Sequence, residues 1–223
     1  MDLFKFDEQY LSDTVRVIAG ADEVGRGPWA GAVVAAVVVL PSNIDKNIYP
    51  EIACLDDSKK VPKNKREKLS VSIKNIALAY SISFVDEKII DEINILAATK
   101  LAIQNCMADI FNNSNCLNSS NIPDILLIDG NYKINYPINQ KSIIKGDSKS
   151  ASIAAASILA KVARDEYMLE MDTKYPEYKF NEHKGYGTKL HRDMLFKYGP
   201  SPIHRKSYKP VSEFFEKQEL LQF

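Results

Sequence analysis

Two apolar stretches stand near the front of the chain, Val15 to Ala21 and Ala32 to Leu40, with Gly25-Arg26-Gly27-Pro28 between them. The first, VRVIAGA, is short and β-branched, which predicts a strand. The second is an almost unbroken Val/Ala run, the pattern of a strand covered on both faces. The turn residues between them predict a hairpin. Ser58 to Asn75 starts as a polar loop with Pro62 and becomes a charged helix, with Leu69 and Ile73 spaced for one face. Ile76 to Val85 alternates as a strand, and Asp86 then caps a short helix. Asn94 to Phe111 has a helical rhythm with Leu96, Ile103, Met107 and Ile110 as its apolar face. A polar loop, Asn112 to Pro123, leads to a buried strand at Ile125 to Ile128. A further strand at Ser142 to Ile144 precedes a long Ala-rich helix, Ser148 to Met171. From Tyr175 there is a Gly/Tyr/His loop, then helical stretches at Leu190 to Tyr198 and Ser212 to Leu221. The order predicts a mixed α/β sheet flanked by helices, with a small C-terminal helical subdomain. We divide the chain at 1–172 and 173–223.

The acids at the strand ends turn this outline into chemistry. Asp22 and Glu23 follow the first strand, Asp129 ends ILLI, and Asp147 follows SIIK. A glycine stands near each: Gly25, Gly130 and Gly146. Ligands gather at strand ends in open α/β sheets, and glycine permits close approach. If the three ends converge, four carboxylates share one site and cannot all stay ionised cheaply. Hard divalent cations resolve that conflict, and oxygen-only ligands select Mg²⁺ or Mn²⁺ over zinc. Two such ions about 3.5–4 Å apart suit phosphodiester hydrolysis. Each acid taken alone also reads as a turn residue or a cap, and Asp147 reads as the N-cap of the Ser148 helix. Asp165 is explained by Lys161 four residues before it.

Charge and composition narrow the partners. Lys+Arg and Asp+Glu are both 29, which argues against a bulk polycation but allows a local basic face. The 223 residues with 45% hydrophobic content can bury an ordinary core. Three cysteines without a CxxC pair fit a reducing compartment, so a cytoplasmic protein is expected. The opening MDLFKFDEQY lacks the basic-then-apolar order of a signal peptide. Ala30 to Leu40 is too short to span a bilayer, so no membrane role is expected. The stretch Gly25 to Ala30 satisfies GxGxxA, but Pro28 and the Val run place a strand where that fingerprint needs a helix. His183, His191 and His204 have no thiol partners for zinc. Arg26 beside the acids, the lysines around Lys59 and Lys60, and Tyr186 between two glycines are residue types that can hold phosphate, sugar or base.

Taken together, these segments resemble the ribonuclease HII family. The resemblance rests on ADEVGRGPWAG (21–31), LDDSKK (55–60), KREKL (65–69), INILAAT (93–99), IDG (128–130), KGD (145–147), SIAAASILAKVARD (152–165) and HKGYGT (183–188). It runs in family order from about Val17 to Tyr208. It implies a ribonuclease H-like fold whose C-terminal extension completes the substrate site. It places a two-metal centre on Asp22, Glu23, Asp129 and Asp147. It also implies that Gly25, Arg26 and Gly27 read a ribose 2′-OH largely through backbone, that Tyr186 packs on a sugar, and that Lys59 is a loop lysine at the substrate. The implied substrates are RNA–DNA hybrids and duplex DNA holding single ribonucleotides, cut to leave 3′-OH and 5′-phosphate. Ala97 stands where the family pattern has Gln, a departure in helix packing. The chain is expected to act as a monomer. A sliding-clamp contact by Gln218 to Phe223 is conceivable, although QELLQF matches a clamp-binding peptide poorly. Two other readings are a resolvase- or transposase-type strand cutter, disfavoured by the Gly-Arg-Gly loop and Tyr186, and a hybrid-binding module without catalysis, disfavoured because all four acids are present.

Overall fold

A computed structural model describes residues 2–42, 44, 49–55, 58, 61–112 and 122–220. Among these, β1 (Ile18–Val24), β2 (Val33–Val39), β3 (Ala79–Val85), β4 (Ile125–Asp129) and β5 (Asn139–Ile143) form one sheet in the order β3-β2-β1-β4-β5. β1 and β2 pair antiparallel, as the Gly-rich turn predicts, and β3 extends β2 antiparallel. β4 and β5 run parallel to β1. This mixed sheet is the expected fold class.

The helices are α1 (Leu3–Glu8), α2 (Lys63–Ile76), α3 (Glu87–Ile93), α4 (Ile95–Asn112), α5 (Ala151–Lys174), α6 (Phe180–His183), α7 (Lys189–Tyr198) and α8 (Ser212–Leu220). None is long and apolar enough to cross a membrane. Side chains alternate across β2, so Val33, Ala35 and Val37 meet α4, whereas Ala36 and Val38 meet α2 and α5. Every residue of β2 is buried, which is why its sequence shows no polar face. The same alternation in β1 sends Ala19 and Ala21 towards α4 and Gly20 and Asp22 towards α5.

The tightest contact is between β1 and α5. A Cβ at Gly20 would overlap the Ser152–Ile153 peptide. The small residues of α5, Ala151, Ala154, Ala155 and Ala156, are fully buried there. α1, which periodicity did not reveal, anchors the same end. Asp7 Oδ2 accepts from the Ser152 N–H and hydroxyl, each at 2.8 Å.

Several boundaries differ from expectation. β1 runs Ile18–Val24 rather than Val15–Ala21, so Asp22 and Glu23 lie inside it. β5 begins at Asn139, before the predicted Ser142, because only one of its residues is buried and the rest carry no apolar signal. α2 continues to Ile76, and β3 starts at Ala79. α5 starts at Ala151, not Ser148: residues 146–148 form a 3-10 turn. Its N-cap is Ser150, whose hydroxyl accepts from Ile153 N–H at 3.2 Å, so Asp147 is not the cap. Leu96 is 41% exposed and leaves the apolar face of α4, which is completed instead by Ala98, Thr99, Ala102 and Cys106. Asp86 caps α3 as predicted, accepting from Ile89 N–H at 3.0 Å.

The C-terminal helices close over the end of α5 through buried histidines. The Tyr186 carbonyl can only accept, so His191 Nδ1 carries the proton in their 3.0 Å bond. His191 Nε2 then accepts from His204 Nε2–H at 3.0 Å, and His204 Nδ1 accepts from Ser201 N–H at 2.9 Å. His183 stacks on His191 with ring centroids 4.3 Å apart. Burial, with the neighbouring imidazoles, holds His191 down to about 4 and His204 down to about 3. This relay requires neutral rings.

Two outcomes follow. Gly20→Ala should cost about 3 kcal/mol or more, because the obstacle is backbone and cannot swing aside; urea unfolding at wild-type stability would show that β1 and α5 can separate. His191 and His204 should stay neutral at pH 5, where a free imidazole with a pKa of about 6.5 is mostly charged. Their depressed folded values mean that stability is full above about pH 6.5 and is drained as pH falls below it, because the unfolded chain takes up the protons. Ring NMR shifts of His191 or His204 that titrate near pH 6.5 would contradict the relay.

Candidate active site

β1, β4 and the turn after β5 bring the predicted acids to one cavity of 530 Å³. Asp22, Glu23, Asp129 and Asp147 line it, as do Gly25, Arg26, Gly27 and Tyr186. Lys59 lies outside the described residues, although its neighbour Ser58 lines the cavity. Half of the segment considered for a clamp contact, residues 221–223, falls outside them too. All the other site residues singled out in the sequence are therefore brought together.

Each acid has its own local setting. Asp22 points to the α5 side of the sheet, is 5% exposed, and accepts from Glu23 N–H at 2.7 Å. Burial pushes its carboxyl well above the usual range, and the charges of Glu23 and Asp129 push it further, against a hydrogen bond from Ser157. Glu23, one residue on, leaves the opposite face. It accepts from the Tyr132 hydroxyl at 2.8 Å and from Arg26 at 3.1 Å. Burial raises its pKa too, and those two donors restrain the rise. Burial and the Glu23 charge push the Tyr132 phenol upward, so it remains a donor. Asp129 Oδ1 accepts from Gly146 N–H at 2.6 Å. Gly146 has no room for a side chain: a Cβ would lie 2.6 Å from Ile153 Cδ1 and 3.3 Å from Asp129 Oδ1. Asp147 follows in the 3-10 turn that leads to α5.

This donor set fits hard divalent cations. It is all oxygen, it is partly desolvated, and the charge of Asp129 raises the pKa of both Asp22 and Glu23. The acids surround the cavity rather than forming a ready shell. Among the described residues no three His, Cys, Asp or Glu are already gathered to hold an ion. Glu23 leans towards Tyr132 and Arg26, and Asp129 towards the Gly146 backbone.

The Gly25-Arg26-Gly27 loop and Tyr186 complete the lining of the cavity. Gly25 has φ +95°, and a Cβ there would strike the Arg164 side chain. Gly27 has space, its nearest neighbour being Tyr186 Cε1 at 4.0 Å from a Cβ position. The Tyr186 ring is 40% exposed, with the Arg164 guanidinium 5.7 Å from its centroid. Trp29 takes up the space that a side chain at Gly187 would need. Lys161 also lines the cavity and pairs with Asp165 at 2.7 Å, the i,i+4 pair predicted. Arg66 approaches the same carboxylate at 3.5 Å.

Sequence reasoning missed Tyr132, Arg164 and Arg205. Tyr132 is three residues after Asp129, a spacing without a pattern of its own. Both arginines are fully buried. Arg164 lies within the KVARD segment, where an arginine beside Asp165 reads as an exposed helical charge.

Comparison with known proteins agrees with this geometry. The profile of the family described as Ribonuclease HII matches residues 19–211. The chain is 46% identical to Ribonuclease HII of Endomicrobium trichonymphae over 98% of each chain. It is 52% identical to Ribonuclease HII of Caldicellulosiruptor bescii over 92% of each. Among solved structures it is similar to the ribonuclease H2 of Pyrococcus horikoshii OT3, with TM-score 0.69 and 26% identity, covering 92% of this chain and 99% of that one. With the profile spanning most of its length and relatives matched nearly end to end, the chain belongs to the ribonuclease HII family and is a ribonuclease H, an endonuclease acting on the RNA of RNA–DNA hybrids.

Proposed function

We propose that this ribonuclease H cuts on the 5′ side of single ribonucleotides embedded in duplex DNA, as well as within longer hybrids, using two divalent ions held by Asp22, Glu23, Asp129 and Asp147. The observation that carries the reading is one cavity lined by the four acids together with Gly25, Arg26, Gly27 and Tyr186. When bound, Mg²⁺ or Mn²⁺ supplies the positive charge that activates water and stabilises the leaving oxygen. The carboxylates hold that charge at the scissile phosphate. Water adds to phosphorus, the bond to O3′ breaks, and the products are a 3′-OH and a 5′-phosphate. Tyr132 and Arg26 orient Glu23, and the Gly146 N–H orients Asp129. The sugars of RNA and DNA differ only at the 2′-OH, so recognition of one ribonucleotide needs close backbone approach, which Gly25 and Gly27 permit. The extension from residue 173 contributes Tyr186 as a packing surface for a sugar, and Lys59 is assigned to phosphate contact. The same reading has the protein act as a monomer in the cytoplasm, a reducing compartment with which the free, buried Cys106 is compatible.

Cleavage should require Mg²⁺ or Mn²⁺ and stop in excess EDTA. Asp22→Asn should lose turnover yet melt at or above the wild-type temperature in chelated buffer, because it removes a carboxylate that burial and two like charges penalise. Persistent cleavage in EDTA, or an Asp22→Asn protein that unfolds, would refute this assignment. A duplex with one ribonucleotide should be cut on its 5′ side. Gly27→Ala should fold normally and lose that cutting. Tyr186→Phe should stay active, whereas Tyr186→Ala should lose roughly 5- to 150-fold, the worth of one stacking contact. A wild type that ignores the single ribonucleotide but cuts long hybrids would reduce the function to generic hybrid cleavage.

A further inference from the structure

The loop from Gly25 to Ala32 owes its shape to an arginine that never reaches the cavity. Arg205 is fully buried between this loop and the C-terminal segment. Its fork donates to Gly25 O at 2.6 Å, to Arg26 O at 3.0 Å, and to Gly31 O at 2.9 and 2.7 Å. Its backbone N–H donates to Trp29 O at 2.8 Å. The Tyr208 hydroxyl gives Arg26 O a second donor at 2.8 Å. Arg164 continues the pattern with Ala30 O and Ala32 O. Among the described residues no carboxylate forms an ion pair with Arg205. A buried guanidinium is costly unless its donors are satisfied, and here backbone carbonyls of one loop satisfy them.

Peptide geometry converts those bonds into a statement about the cavity. The Gly25–Arg26 and Arg26–Gly27 peptides are trans, so each N–H points away from the carbonyl of its own peptide unit. With Gly25 O and Arg26 O turned inward to Arg205, the N–H groups of Arg26 and Gly27 turn outward, and both residues line the cavity. Among the described residues neither N–H is taken by a protein acceptor. The next residue is Pro28, which has no N–H. The outward edge of the loop therefore offers two adjacent donors and no carbonyl from residues 25 and 26. Such an edge accepts an oxygen with lone pairs and discriminates against a C–H at the same place.

We propose that Arg205 is a specificity-determining positioning residue, which holds the Arg26 and Gly27 N–H groups as paired donors for the 2′-oxygen of a ribose. This rests on the reading of the loop given under Proposed function. A lysine cannot reproduce the fork, because Gly25 O, Arg26 O and Gly31 O are met by three separate nitrogens of a rigid guanidinium and an ammonium is a point charge. Without it the Gly25 and Arg26 peptides are free to rotate and show a carbonyl to the sugar.

The test measures binding rather than turnover. Fluorescence anisotropy in Ca²⁺ buffer compares a DNA duplex holding one ribonucleotide with the same duplex holding the deoxynucleotide. The wild type should prefer the ribonucleotide. Arg205→Lys should lower that ribose/deoxyribose affinity ratio by about tenfold, about the worth of one lost hydrogen bond, while affinity for the all-DNA duplex stays within about twofold. Tyr208→Phe, which removes only the second donor to Arg26 O, should fold as the wild type does and lower the ratio in the same direction by a smaller factor. A purely structural role would weaken both duplexes in proportion and leave the ratio unchanged, and that result in Tyr208→Phe and Arg205→Lys overturns the proposal. A wild type with no ribose preference overturns the loop reading itself; a preference that both variants keep overturns only the role of Arg205.

Discussion

The backbone of α5 rests directly on the backbone of β1, and most of the cavity is set by that contact. Glycine at position 20 removes the one side chain that would hold the two apart, and a run of alanines does the same from the helix side. Two residues beyond Gly20, Asp22 comes up beneath Ser157 of the helix. The start of α5 is fixed by the same seat, so the turn before it must end where Gly146 can reach Asp129. Gly146 in turn meets Ile153, one turn into the helix. Three of the acids thus take their places from a single close approach. Glu23 is the exception, because strand alternation sends it to the other face, where Tyr132 and Arg26 receive it.

Zero net charge hides a strong local arrangement. The acids are concentrated at one end of three strands, where burial makes their mutual repulsion expensive. The cations around them are in different states of commitment. Arg26 is tied to Glu23, and Lys161 to Asp165. Arg164 and Arg205 lie behind the loop and are spent on carbonyls. The result is a cavity lined by acids, with buried positive charge behind the loop that completes it.

The fold was legible wherever burial imposed a period. β2 announced itself because both its faces are covered, and α4 because its stripe is long. Where burial is one-sided or slight the pattern failed, as in β5, of which only Ile143 is buried. The start of α5 was misplaced by three residues because Asp147 and Ser150 are both good caps, and only the close turn at Gly146 decides between them. The acids were legible because glycine and carboxylate recur together after apolar runs. Arg164 and Arg205 were not, since a side chain whose partners are backbone carbonyls leaves no complementary residue in the sequence to betray it. The histidine relay was hidden in part for the same reason: His191 meets the Tyr186 carbonyl, and His204 Nδ1 accepts from the Ser201 backbone N–H.

The bond from Arg205 to Gly25 O spans 180 positions of the chain. Synthesis proceeds from the N-terminus, so the loop is made well before its inner partner. Until then the carbonyls of Gly25, Arg26 and Gly31 can be satisfied only by water, and the acids of β1 and β4 sit beside an unshaped loop. A nascent chain therefore carries the acids of β1 and β4 before it carries the arginine that shapes the loop beside them. Placing the clasp so far along the chain from the loop makes the shape of that loop depend on a segment synthesised much later.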